Sequence, residues 1–95
     1  MSIPTEQIIL PPVRMKVDDA DVDILEALRL DMINGDKLYY VTCRIRWRGI
    51  KTKKFFVICR DKNEFVEKIR IELSKLKTMY LTLGLKETVE IASKW

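Results

Sequence analysis

Between Tyr39 and Arg48 the chain alternates without a break. Tyr39, Val41, Cys43, Ile45 and Trp47 take the odd positions, and Tyr40, Thr42, Arg44, Arg46 and Arg48 take the even ones. Successive side chains of a strand point to opposite faces, so the pattern requires one apolar face for a core and one basic face turned outward. Gly49-Ile50 suits the centre of a tight turn whose first position favours glycine, and residues 51–60 form the return strand. In that register Arg48 faces Lys51, Arg46 faces Lys53 and Arg44 faces Phe55, whereas Cys43 pairs with Phe56 and Val41 with Ile58 on the core side. Five basic groups then share a face with Tyr40 and Phe55, and the two cysteines, Cys43 and Cys59, point to opposite faces. A three-residue turn would instead set Lys54, Phe56 and Ile58 beside the arginines. In either register the turn end of the hairpin is basic.

The stretch from Lys37 to Arg60 holds eight basic residues and no acidic one. The net charge of +4 conceals a segregation: residues 1–36 carry three basic against eight acidic groups, net −5, and residues 37–95 carry fifteen against six, net +9. Like charges crowded onto one supersecondary unit repel one another, and a polyanion laid across them relieves that repulsion. Arginine can both pair with phosphate and stack on a base, and interleaved aromatic rings can stack unpaired bases. The contrasting explanation is a solvated outer face, but such a face normally mixes both signs of charge.

The rest of the chain reads as one α+β domain over residues 13–95, preceded by an extended arm over residues 1–12 that ends in Pro11-Pro12. Val13, Met15 and Val17 alternate with Arg14 and Lys16 as in a short half-buried strand. Asp18, Asp19 and Asp21 resemble the acidic start of a helix, Val22, Leu25, Leu28 and Met32 recur at helical spacing, and Gly35 supplies a stop; this predicts a helix over residues 20–34. Asp61, followed three residues later by Glu64, opens a second helix, whose seam of Val66, Ile69, Leu73, Leu76, Tyr80 and Leu83 ends at Gly84. Residues 85–95 form a last short helix. The predicted order is strand, helix, strand, strand, helix, helix: a mainly antiparallel sheet with helices on one face. Off the seam, Phe65, Ile71, Met79, Leu81, Ile91 and Trp95 are also apolar, which predicts a homodimer or higher even-numbered assembly.

Much chemistry is excluded by composition. Without histidine there is no Ser-His-Asp or Cys-His catalysis and no histidine-based zinc site, and two cysteines with fifteen residues between them make a poor metal site. Cys43 reads as a small core hydrophobe. Asp19, Asp21 and Asp23 open like a calcium loop, but Ile24 and Leu30 occupy the places of the glycine and the closing glutamate. The three glycines stand alone, so there is no phosphate-cradling loop. We therefore expect no enzyme, no cofactor and no metal. The N-terminus has no signal-peptide pattern, no apolar run is long enough to span a bilayer, and Asn and Gln are scarce beside Lys, Glu and Ile; together these predict a cytoplasmic protein from a thermophilic source.

Three features resemble, as a set, the ThermoDBP-like single-stranded DNA-binding proteins of hyperthermophilic archaea: Tyr39-Tyr40 through Trp47-Arg48-Gly49, the return Lys53-Lys54-Phe55-Phe56, and the long helix from Phe65 to Leu83. The resemblance covers roughly residues 37–84. It implies a mixed α/β fold with a basic cleft for single strands and a C-terminal helical region used for oligomerisation. From the residues themselves, the expected function is non-catalytic binding of nucleic acid, single-stranded DNA in preference to duplex, through Tyr40, Arg44, Arg46, Arg48, Lys51, Lys53 and Phe55. The alternative is an interaction or assembly subunit whose basic face meets an acidic protein. A nuclease whose carboxylates converge only in three dimensions is a third, more remote class.

Overall fold

A computed structural model describes residues 13–94; the expected N-terminal arm and Trp95 lie outside the described residues. The chain forms β1 (Val13–Val17), β2 (Ala20–Asp31), β3 (Lys37–Trp47), β4 (Ile50–Lys51), β5 (Phe55–Cys59), α1 (Lys62–Leu83) and α2 (Leu85–Ala92). All strand pairs are antiparallel, in the order β1-β2-β3, with β4 and β5 both paired to the far side of β3. The α+β class with an antiparallel sheet is as the sequence predicts. The order of elements is not.

Of the predicted helix over residues 20–34, residues 20–31 are the strand β2 and the rest belong to the turn after it. Ala20, Val22 and Ile24 alternate with Asp21 and Asp23, and an irregularity between Ile24 and Glu26 then shifts the phase, so that Ala27 faces Val41. One inserted residue turns a period of two into steps of three, which is how a bulged strand imitates helical spacing. The signal for a hairpin is Asn34-Gly35, a dipeptide suited to positive φ. Gly35 has φ of 89°, its N–H donates to the Met32 carbonyl at 3.0 Å, and Asn34 Oδ1 accepts from the Asp36 N–H at 3.0 Å. Asp18-Asp19 is likewise a turn, joining β1 to β2, with Asp18 at φ 55°.

Helix α1 lies across one face of the sheet. Phe65, Ile69, Leu73 and Leu76 are buried in one cluster with Val41, Cys43, Ile45 and Trp47 of β3. Val66, Met79 and Tyr80 pack against that cluster, so Phe65 and Met79, two residues expected to seek a second copy, serve this core. Asp61 caps α1 by accepting from the Glu64 N–H at 2.8 Å. The turn aspartates clamp the helix from the other side: Lys77 Nζ donates to Asp19 at 2.7 Å, and Arg70 lies 3.3 Å from Asp18.

The return strand departs from the expected register twice. The turn is Arg48-Gly49, both at positive φ (51° and 79°), so Trp47 pairs with Ile50 and Arg46 with Lys51. Continued straight, that register would set Lys54 opposite Cys43 in the core. One extra residue in the connection at 52–54 places Phe55 there instead. At this break Thr52, 2% exposed, donates its N–H to the Ile45 carbonyl at 3.0 Å, and its Oγ1 accepts the Ile45 N–H at 3.0 Å. Lys53 N–H is taken by the Ala92 carbonyl of α2 at 2.9 Å. Consequently Phe55, Val57 and Cys59 face the helix, and Phe56 and Ile58 face outward.

Candidate nucleic-acid interface

Among the described residues, no element covers the face of the sheet opposite α1. Four side chains of β3 lie on it at about 7 Å intervals, Tyr40, Thr42, Arg44 and Arg46. Arg14 and Lys16 of β1, Asp21 and Asp23 of β2, and Lys51 of β4 share that face, in cross-strand rows that run Arg14, Asp23, Arg44 and Lys16, Asp21, Arg46, Lys51. The acidic first segment and the basic hairpin are therefore not separate fields where β2 meets β3. Folding inserts two of that segment's aspartates between basic strands.

Asp23 is the centre of this array. Arg14 Nε donates to its Oδ1 at 3.0 Å, while Arg46 Nε and Arg44 Nε lie 3.1 and 3.8 Å from its Oδ2. Both β3 contacts are ion pairs, Arg44 standing beyond hydrogen-bonding distance, and neither Nε has a hydrogen-bond partner. Three guanidinium groups thus share one carboxylate. Their charge is only partly neutralised, and their planar donor forks remain partly exposed.

Beside the arginines runs an apolar strip. Tyr40 sits opposite Ile58, and Thr42 opposite Phe56; Phe56 is 73% exposed. Of the seven residues predicted from sequence, Tyr40, Arg44, Arg46 and Lys51 meet on this face. Arg48 belongs to the turn, where its guanidinium stacks 5.3 Å from the centre of the Trp47 ring. Lys53 is exposed in the connection between β4 and β5. Phe55 is corrected: it is half-buried on the helix side opposite Cys43, and Phe56 takes its place outside. Arg14 and Lys16 are face residues that the hairpin alone could not supply, and the alternation in β1 was their signal; Phe56 and Ile58 stand outside as in the alternative hairpin register, without Lys54.

Trp47 fixes the turn end. It is buried, meets Tyr80 edge-on at 5.3 Å, and donates Nε1–H to Asp19 at 2.9 Å, while Lys77 lies over its ring. The bonds from Lys77 and then from Trp47 pull the Asp19 carboxyl down to about 2. The cysteines are both on the helix side, so the expectation that they point to opposite faces is also corrected. Burial pushes the Cys43 thiol up to about 12, and burial is the main cause of the upward shift of Cys59. A thiol held protonated is a poor nucleophile or metal ligand. Among the described residues no cluster of carboxylate or thiol groups could hold a metal ion, and no helix is long and apolar enough to cross a membrane.

On the helix side, an apolar groove of about 580 Å³ opens between the β1 end of the sheet and the start of α1, lined by Val13, Met15, Ile24, Tyr39, Val41 and Phe65 among others. No known protein family, curated protein or solved structure matches the chain.

Proposed function

We propose that this is a non-catalytic, cytoplasmic nucleic-acid-binding protein that takes a single strand across the open face of its sheet. The convergence of Arg14, Arg44 and Arg46 on the one carboxylate of Asp23 carries the reading, because it leaves an excess of positive charge in a fixed arrangement. Phosphates would lie on Arg44, Arg46, Lys16 and Lys51, and bases would stack on Tyr40 and Phe56, each stacked ring contributing roughly 1–3 kcal/mol. The likeness of pattern to the ThermoDBP-like proteins supports the same reading. The aspartates within the array favour a second one. Alternating signs weaken the pull on a uniform polyanion and suit an acidic protein with spaced carboxylates.

Fluorescence anisotropy with labelled single-stranded DNA, duplex DNA and RNA at two salt concentrations separates the two. Single strands should bind best, with a logarithmic salt slope of about −0.7 per phosphate contact. Replacing Arg44 and Arg46 by alanine should flatten that slope by about 1.4, and Tyr40→Ala should weaken binding without changing it. Absence of binding to every nucleic acid at low salt would overturn the proposal and put the acidic protein first.

A further inference from the structure

The two edges of the sheet are built differently. β1, at one edge, presents Arg14 and Lys16, and charged side chains on an edge strand oppose pairing with another chain. β5, at the other, reads Phe-Phe-Val-Ile-Cys, with no charge and no proline. Its outward residues Phe56 and Ile58 are 73% and 44% exposed, and on the adjoining flank of α1 Ile71 is 56% exposed. A shallow groove of about 310 Å³ joins these three with Lys68 and Glu72. Lys68 Nζ donates to the Ile58 carbonyl, which marks the side of β5 that β3 does not use. In an antiparallel ladder both backbone groups of a residue face the same way and alternate residues face alike, so the N–H and C=O of Phe56 and Ile58 line this edge.

We infer that β5 is a self-pairing edge: it joins β5 of a second copy antiparallel, about a two-fold axis at Val57, and merges two sheets into one. In that register Phe56 of each copy lies opposite Ile58 of the other, and both residues exchange N–H and C=O bonds across the junction. Lys68 sits beside Ile58 and pairs with Glu64 at 3.4 Å; Glu72, one turn further along α1, lines the same groove and pairs with Lys75 at 3.2 Å, both exposed pairs that can exchange partners. The two-fold axis therefore brings Lys68 of each copy against Glu72 of the other. That opposite-charge match, together with the match of Phe56 to Ile58, makes the surface complementary to itself. Because the β1 edge is guarded, the described residues of each copy offer one such edge, and the assembly closes at two. Phe56 also belongs to the proposed nucleic-acid face, but the pairing needs no nucleic acid and its test contains none.

Sedimentation equilibrium of the full chain at micromolar concentration should give twice the 11.2 kDa chain mass. Phe56→Lys, at an outward position, should raise the dimer dissociation constant by about thirtyfold or more, the effect of one interface hot spot, with the circular dichroism spectrum unchanged. Lys68→Glu should weaken the dimer, and adding Glu72→Lys should restore it. In the unmodified chain, hydrogen exchange at the Phe56 and Ile58 amides should slow as concentration rises. A monomer at every concentration, or a dimer in which those two amides exchange freely, would overturn the inference. So would a dimer that Phe56→Lys leaves intact, which would place the contact elsewhere, as on exposed Leu81 and Leu85.

Discussion

Thr52 decides which face of β5 meets the core, and Thr52→Val tests that role. Valine keeps the shape and removes the oxygen that accepts the buried Ile45 N–H at 3.0 Å. A buried donor left without a partner costs about 1–3 kcal/mol, and the more apolar valine recovers part of it, so the net loss should be about 2 kcal/mol. In a domain of this size that is a fall in Tm of roughly 8–16 °C. Thr52→Ser retains the acceptor and loses one buried methyl group, about 1 kcal/mol, so the order of stability should be threonine, serine, valine. Urea and thermal unfolding followed by circular dichroism give the order, and hydrogen exchange at the Ile45 amide reports the lost bond. A valine variant as stable as the serine variant would refute the reasoning, because ordinary packing would then account for Thr52.

Trp47→Ala removes a ring that is 6% exposed and should destabilise the fold by about 3–5 kcal/mol in urea unfolding; a loss under 1 kcal/mol would show that the ring is not packed as described. Asp19, held down to about 2, contributes stability that is present above its ordinary carboxylate range and lost as pH falls through about 2. The indole N–H resonance of Trp47 should therefore shift with a midpoint near pH 2, and a midpoint near 4 would mean that neither Lys77 nor Trp47 bonds it. With both thiols buried and raised, a disulfide reagent at pH 8 should label Cys43 and Cys59 only as fast as the chain unfolds, and rapid labelling of the native protein would contradict their placement.

The open face shows how charge segregated in sequence can be interleaved in space. A hairpin with eight basic residues and no acid looks like an uncompensated field, yet Asp21 and Asp23 lie directly across from Arg46 and Arg44. What distinguishes the face is the ratio at one point, three guanidinium groups to the single carboxylate of Asp23. Strands adjacent in the sheet set that ratio. No window along the sequence contains it.

The sequence by itself determined the elements whose signal is local. Strict alternation from Tyr39 to Trp47 made β3, and the Asp61 cap with its apolar seam made α1, because a period of 2 or 3.6 is enough to bury one face. The tertiary structure decided the rest. β2 carries good helix formers from Leu25 to Leu30 but is strand, since β3 needs a partner along its length and the bulge after Ile24 hides the alternation. The outward face of β5 depended on a single residue in the connection at 52–54, held by the Thr52 hydroxyl on Ile45 and by Ala92 of α2 on Lys53. One residue of slip exchanges every side chain between core and solvent. One partner across the hairpin and one distant in the chain set that slip, so Phe56 rather than Phe55 stands on the candidate site.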